Sequence, residues 1–340
     1  MTAHKQGYLF GRSTSAESPT ALLAGNFDLG LFSPSWDHRC ESFTACEGLF
    51  IDTSLVLNFT LRDDFGHQDR HKQNIDAFLK RHSRTAVPIT GDAVDLHQMW
   101  NAIWDKVREA ALQKGKGLRI LVDLSTCPRY YSLGLIAGAI ECGMTPSITA
   151  FYAEARYPDV QRPHPLDRPF SVGQWRAVAV PFLLGMPDPL KRKHFVVSVG
   201  FEGLKTARVL TKEDPDRISI LFPDPGSRPG YNEETWSRNC ETMEQFRVPE
   251  SQIVRAAAGD AIAAWKNLSR NAPERPVTES TFYLCCGTKP HALGFALRAL
   301  SLRFPTVLYN LPEKHAFMDT QPNGVYWKYD IRDLTFPEIP

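Results

Sequence analysis

The sequence lacks any excess of charge of one sign: 39 lysine and arginine residues face 38 aspartate and glutamate residues, a net charge of +1. Charge alone therefore gives no reason to expect a protein that binds a nucleic-acid duplex or a membrane surface. The sequence also lacks a run of 18 apolar residues that could cross a membrane. Its first twenty residues lack the apolar centre of a secretion signal. We therefore expect a cytoplasmic protein with no membrane partner.

Paired metal-binding cysteines are absent as well. None of the seven cysteines forms a CxxC motif, which argues against zinc ribbons and thioredoxin-type redox pairs. His67 and His71 lie four residues apart on a predicted helix, but Gln68 stands where a zinc protease has glutamate. We interpret these two histidines as exposed residues on a polar face. The sequence thus predicts no metal site and no cofactor.

Alternating strand-like and helix-like segments fill most of the 340 residues. Such alternation predicts an α/β protein with two tandem Rossmann-like domains and mainly parallel sheets. We expect a flexible tail at residues 1–24, a first domain at 25–190 and a second at 191–340. The clearest helix starts after Asp95 and ends at Gly115, with two tryptophans, Trp100 and Trp104, on one face that we expect to be buried.

The two predicted halves share a local pattern. An apolar strand leads into Thr126-Cys-Pro128 in the first half and into Thr288-Lys-Pro290 in the second, and a helix rich in small residues follows each. The pattern predicts an internal duplication in which Thr126 and Thr288 are equivalent. Two unrelated α/β domains are the alternative.

These strand–helix junctions are the candidate ligand sites, because ligands of open parallel sheets bind at the carboxyl ends of strands. Hydroxyl groups, a basic side chain and the N–H groups of a helix start suit a phosphate or carboxylate. Gly287, which has no side chain, would let a ligand approach the backbone closely. In the plainer interpretation, threonine only caps the helix and proline only begins it. The candidate ligand-binding residues are Ser125, Thr126 and Arg129 in the first half and Gly200, Glu202, Gly287, Thr288, Lys289 and His291 in the second.

The sequence Cys286-Gly-Thr-Lys-Pro-His-Ala-Leu293 resembles the Gly-Thr-Lys motif of CRISPR-associated Rossmann-fold (CARF) sensor domains. Val197-Ser-Val-Gly-Phe-Glu-Gly203 is similar to their first strand and loop. CARF domains pair and bind cyclic oligoadenylates across a two-fold axis, and SAVED domains resemble two such halves in one chain. The resemblance covers roughly residues 194–330. In the first half, Ser125-Thr-Cys127 replaces Gly-Thr-Lys, and Arg129 supplies the charge.

The resemblance implies a nucleotide second-messenger sensor of bacterial anti-phage defence. Its ligand, such as a cyclic oligonucleotide, would lie between the halves, and its output would pass to a partner effector protein or through self-assembly into a homo-oligomer. Binding of a nucleic-acid duplex is not expected. Two alternatives remain open: a nucleotide-processing glycohydrolase or phosphodiesterase, and a scaffold subunit that binds nothing. In an enzyme, Asp123, Glu202 or Asp224 would be the general acid or base.

Overall fold

The computed structural model describes residues 9–35, 37–60, 69–92, 95–115, 117–157, 171–271, 274–315 and 320–333. It divides the chain into two compact units. Unit 1 comprises residues 1–157 and 317–340, and unit 2 comprises residues 158–316, so unit 2 is inserted into the sequence of unit 1.

Unit 1 is built on a mixed sheet of seven strands within the described residues. The strands are β1 (Leu9–Ala16), β2 (Gly25–Phe32), β3 (Leu49–Thr60), β4 (Ser83–Asp92), β5 (Arg119–Asp123), β6 (Ser147–Arg156) and β13 (Gln321–Asp333). Their order across the sheet is β1-β13-β6-β5-β2-β3-β4. The five strands from β6 to β4 are parallel, whereas β13 and β1 add to the β6 side in antiparallel pairings.

Unit 2 repeats this parallel order. Its described strands are β7 (Ser171–Ala179), β8 (Arg192–Ser198), β9 (Arg217–Pro223), β10 (Ile253–Ala256), β11 (Glu279–Cys285) and β12 (Thr306–His315). The order is β10-β9-β8-β11-β12-β7, with only the β12–β7 pairing antiparallel. Taken along the chain, the five parallel strands of each unit lie in the Rossmann order 3-2-1-4-5.

Helices connect the parallel strands. In unit 1 they are the short 3₁₀ helix His38–Ala45, α1 (Asp69–His82), α2 (Leu96–Lys114) and α3 (Arg129–Glu141). In unit 2 they are α4 (Gly203–Glu213), α5 (Tyr231–Gln245), α6 (Ala261–Asn271) and α7 (Lys289–Leu302). Among the described residues, no helix combines the length and the apolar character that crossing a bilayer requires.

The predicted fold class is confirmed: both units are Rossmann-like, with mainly parallel sheets. Buried strands form the centre of each sheet, since β5 and β8 are buried over most of their length and lie between two neighbouring strands. The shared strand order is what an internal duplication would leave, and the duplication itself stays a prediction.

The predicted domain limits are wrong at three places. Residues 9–16 are not a tail but strand β1, because their backbone pairs with β13 over eight residues; residues 1–8 lie outside the described part of the chain. Strand β7 belongs to unit 2 rather than to the first domain, because it pairs with β12. Strand β13 belongs to unit 1 rather than to the second domain, because it pairs with β6. The domains are therefore nested rather than in tandem.

Helix α2 begins and ends where the sequence predicts. The Asp95 carboxylate accepts a hydrogen bond from the N–H of Gln98 at 3.2 Å, and Gly115 ends the helix in the left-handed conformation at φ 62°. Its apolar face buries Trp100, whereas Trp104, which we expected to be buried, is only partly covered and stacks on Trp100 at 5.7 Å between ring centroids.

Candidate functional site

The strand order of each unit reverses next to its first parallel strand, and in this architecture ligands bind at that point. In unit 1 the reversal lies between β2 and β5, and in unit 2 between β8 and β11. Both Thr-x-Pro junctions follow the strand at that position, β5 and β11 respectively. Both candidate sites therefore lie at the strand ends beside the reversal point, and ligand binding there stays a prediction.

In unit 2, two glycines let the loops after β8 and β11 pack against each other. The Gly287 N–H donates to the Ser198 hydroxyl at 3.0 Å. A Cβ added to Gly287 would lie 2.6 Å from the Val199 carbonyl oxygen, and one added to Gly200 would lie 3.3 Å from Cys286 O. Both glycines thus allow the two loops to contact each other. For Gly287 this replaces our expectation that the missing side chain admits a ligand.

Thr288 and His291 are bound to their own protein. Thr288 is the N-cap of α7: its hydroxyl accepts from the His291 N–H at 3.3 Å and donates to the Ala258 carbonyl at 2.8 Å. His291 is fully buried, and its Nε2 hydrogen-bonds the Ala257 carbonyl at 3.1 Å. Burial lowers the pKa of His291 to about 4, so the imidazole is neutral. The plainer interpretation holds for Thr288, and the expected ligand contact by the His291 side chain is wrong because that side chain is enclosed.

Charged residues surround the same edge of the unit 2 sheet. Lys289 is the first residue of α7 and is partly exposed. Glu202 precedes α4, and its carboxylate pairs with Lys205 Nζ at 3.2 Å. Lys205 is only 6% exposed, and a buried lysine is uncommon without such a partner. Nothing in the sequence around Lys205 indicates that this lysine is buried.

The loop after β9 brings an aromatic surface close to the loop after β8. The ring of Tyr231 meets Phe201 edge-on at 5.3 Å between centroids, and the Arg228 guanidinium lies 5.7 Å from the Tyr231 ring. Asp224 starts the same loop and faces Arg255, with 3.6 Å between carboxylate and guanidinium. Aromatic faces and guanidinium groups are the surfaces on which nucleobases stack.

In unit 1, the hydroxyl groups of the junction hold neighbouring loops. The Asp123 carboxylate accepts from the Ser125 N–H at 2.9 Å, and the Ser125 hydroxyl accepts from the Ala153 N–H at 3.0 Å. Thr126 donates to the Ser33 carbonyl at 2.7 Å and so joins the ends of β5 and β2. Arg129, partly exposed, is the first residue of α3.

Thr126 and Thr288 follow corresponding strands but differ in role. Helix α7 begins directly after Thr288, which caps it, whereas α3 begins three residues after Thr126, with Pro128 at the N-cap position. The loop of unit 1 is therefore longer, and its threonine bonds a loop instead of a helix start. The predicted equivalence holds for the strand and is wrong for the cap.

A buried ion pair at the carboxyl edge of the unit 1 sheet was not among the predicted site residues. The Arg39 guanidinium donates from Nη2 and Nε to the Asp37 carboxylate at 2.6 and 3.0 Å, and the Thr320 hydroxyl donates to it at 2.7 Å. Burial alone would raise the pKa of Asp37, but the Arg39 charge and these hydrogen bonds hold it below its usual value. The guanidinium also lies 6.0 Å from the Tyr152 ring, and burial raises the pKa of that phenol.

Glu154, two residues further along β6, is a second buried carboxylate that sequence reasoning missed. It is 5% exposed and accepts from Trp327 Nε1 at 2.7 Å and from Asn323 Nδ2 at 2.8 Å. Burial raises its pKa despite these two donors. The available signal was a glutamate inside the apolar segment Phe151–Ala155.

The interpretation of His71 as an exposed histidine is wrong. His71 is 2% exposed, and its Nδ1 lies 2.7 Å from Glu41 Oε1. The reason is that the 3₁₀ helix after β2 packs on α1 and covers this face. His67 lies outside the described residues.

Comparisons with known proteins assign no family. No protein-family model matches the chain, and no curated protein matches it. A solved structure that is similar to the chain is a functionally unknown protein, PA1789, from Pseudomonas aeruginosa PAO1. It is 10% identical, the match covers 84% of this chain and 93% of that one, and the TM-score is 0.24. A likeness this weak carries no argument about function.

Proposed function

We propose that the protein binds a nucleotide at the carboxyl edges of its sheets and acts as a cytoplasmic sensor of bacterial anti-phage defence. One observation carries the binding proposal: each unit has the Rossmann strand order and ends the strand beside its reversal point in a Thr-x-Pro junction with a basic residue. That crevice is where nucleotides bind in this architecture. The sensor role rests on the resemblance to CARF and SAVED domains, with output through a partner protein or self-assembly.

The contacts within unit 2 suggest a different role for each residue of the proposed site. Thr288, Gly287 and His291 fix the shape of the loop, so Lys289 is the residue of the motif that supplies a charge for phosphate. Phe201, Tyr231 and Arg228 supply aromatic and guanidinium surface at the neighbouring strand ends. This arrangement suits binding without chemistry.

Titration calorimetry with cyclic oligoadenylates tests the proposal. We expect Lys289→Ala to weaken binding about tenfold to a hundredfold, because hydrogen bonds to charged groups contribute ~1.5–3 kcal/mol. The matched control is Lys266→Ala, which removes an exposed lysine from α6. Mass spectrometry of small molecules released from the purified, heat-denatured protein identifies any nucleotide that it already carries. Equal affinities of wild type and Lys289→Ala would remove this site from the proposal.

Glu154 favours a second candidate, a nucleotide-processing hydrolase. A buried carboxyl group with a raised pKa is the usual form of a general acid, and Glu154 lies near the carboxyl end of β6. The carboxylates predicted for this role have less support, since Glu202 and Asp224 pair with cations and Asp123 holds a turn. If the protein is such an enzyme, cyclic oligoadenylates or NAD are consumed by the wild type and spared by Glu154→Gln. Stable substrates over hours would leave the sensor as the better description.

A further inference from the structure

Three metal-ligating side chains meet where the His38–Ala45 helix packs against α1. One ligand atom from each of His38, Glu41 and His71 can be chosen so that all three lie within 4.8 Å of one another. His71 Nδ1 already touches Glu41 Oε1 at 2.7 Å, and His38 Nε2 lies 4.0 Å from Glu41 Oε2. The two imidazole rings are 4.8 Å apart between centroids and nearly perpendicular.

His71 directs one ring nitrogen at the Glu41 carboxylate. Glu41 Oε1 accepts from its Nδ1, while its Nε2 is buried and finds no hydrogen-bond partner in the described part of the chain. A metal ion bound between Glu41 and His71 would take the place of the proton on Nδ1, so Nδ1 is the ligand nitrogen that His71 offers.

Glu41 is also positioned by a side chain that cannot bind a metal strongly. Asn74 Nδ2, one helical turn after His71 on α1, donates to Glu41 Oε1 at 3.0 Å. Such a donor keeps the carboxylate oriented toward the two histidines while leaving its other oxygen available. The cluster is therefore built from two elements and held by hydrogen bonds rather than formed by chance on one exposed helix face.

We propose that His38, Glu41 and His71 bind one divalent transition-metal ion, with zinc the best match. Two imidazole nitrogens and one carboxylate oxygen are a zinc donor set, whereas magnesium and calcium select oxygen ligands. Ligand atoms around tetrahedral zinc lie roughly 3.3 Å apart, given bonds of about 2.0–2.1 Å. The His38 side chain, 41% exposed, must move toward Glu41 to reach that spacing, since its Nε2 lies 4.0 Å from Glu41 Oε2.

The site is of the open kind. Three protein ligands leave one position of a tetrahedral ion for water or a substrate. The same short helix carries Asp37 and Arg39 at the carboxyl edge of the unit 1 sheet. This proposal does not depend on nucleotide binding and holds for a sensor as well as for an enzyme.

Calorimetric titration of untagged, chelator-treated protein with zinc chloride tests it. We expect one tight zinc ion per chain for the wild type. His38→Ala and Glu41→Gln should each weaken zinc binding by more than the roughly tenfold to hundredfold that loss of an outer-shell partner costs. His97→Ala is the matched control, because His97 is an exposed histidine on α2, and it should bind zinc as the wild type does. Circular dichroism confirms that each variant is folded.

Two further measurements separate this site from adventitious binding. Cobalt should replace zinc and give the intense visible absorption of a tetrahedral ion, and magnesium chloride should give no heat at the same concentrations. Equal zinc affinity in wild type and the double variant His38→Ala, Glu41→Gln would overturn the proposal. Magnesium binding as tight as zinc binding would overturn it too.

Discussion

At the scale of single residues, the two units bury different titratable groups: an ion pair in unit 1 and neutral histidines in unit 2. Unit 1 encloses the Asp37–Arg39 pair, both of whose side chains are 11% exposed, with a third partner in Thr320. Unit 2 encloses neutral His291 and His194. His194 accepts from Arg217 Nη2 at 2.8 Å and donates to the Ser219 hydroxyl at 2.9 Å. Buried ions need every hydrogen bond that their surroundings can supply, so these residues are sensitive to small changes.

Asp37→Asn should destabilise unit 1 by about 3–5 kcal/mol, because it leaves the Arg39 guanidinium buried without its counter-charge. Urea unfolding at pH 7 measures the change. Asp105→Asn is the control: Asp105 pairs with Arg108 on the exposed face of α2, where an ion pair contributes about 0–1 kcal/mol. A similar, small loss for both variants would mean that Arg39 finds water or a second acceptor.

At the scale of elements, the strand–helix junctions decide what the candidate sites can do. The α7 junction is short and capped by Thr288, and the α3 junction is longer and joined through Thr126 to the end of β2. In both, the hydroxyl groups that sequence reasoning assigned to a ligand satisfy backbone groups of adjacent loops. The basic residue that begins each helix, Arg129 or Lys289, is partly exposed.

Gly287→Ala should cost about 1–3 kcal/mol, because the new methyl group would lie 2.6 Å from the Val199 carbonyl and force the two loops apart. Gly48→Ala is the matched control, since its nearest neighbour would be at an ordinary 3.6 Å. Thermal unfolding of both variants in the absence of nucleotide measures the difference. An unchanged melting temperature for Gly287→Ala would show that the loops can separate freely, and would restore a ligand-admitting role for this glycine.

At the scale of the whole molecule, the chain leaves unit 1 after β6, builds all of unit 2, and returns to unit 1 for β13. Strand β1 then pairs with β13, so the first and last described strands are neighbours in one sheet. Unit 1 is thus completed only when both ends of the chain are present. The two units also differ in the titratable groups that they bury.

Acidification should weaken unit 2 before unit 1. Burial, together with the Arg217 charge, lowers the pKa of His194 to about 3, and burial lowers that of His291 to about 4. Since the unfolded value is about 6.5, the stability that these neutral histidines contribute is complete above that pH and is lost as the pH falls toward 4. The loss at pH 5 is about 2 kcal/mol for each histidine.

Glu154 acts in the opposite direction in unit 1. Its folded-state pKa is raised by burial, so its contribution to stability is complete at low pH and is lost as the pH rises through that value. Hydrogen exchange of the full chain at pH 8 and pH 5, corrected for intrinsic exchange rates, measures each unit separately. Equal loss of protection in both sheets at pH 5 would contradict the prediction.

The sequence by itself determined much of the local structure. Asp95 and Gly115 mark the limits of α2 because capping depends on a few neighbouring residues. The alternation of apolar strands and helices gave the Rossmann class, and the Thr-x-Pro pattern marked the strand ends at the reversal point of each sheet. These features follow from residues close together in the chain, whose preferences are expressed locally.

Only the tertiary structure decided which segments share a sheet and which polar groups bond to other parts of the protein. Strand pairing joins β1 to β13 and β7 to β12 across 129 residues or more, and nothing local encodes such a partner. Whether Thr288 binds a phosphate or the Ala258 carbonyl depends on a loop thirty residues away. His71 and Glu41 likewise meet because two distant elements pack together. Burial and hydrogen bonding depend on such distant contacts. Composition and spacing therefore predicted where the junctions lie in the sheet, but not which partners their side chains bind.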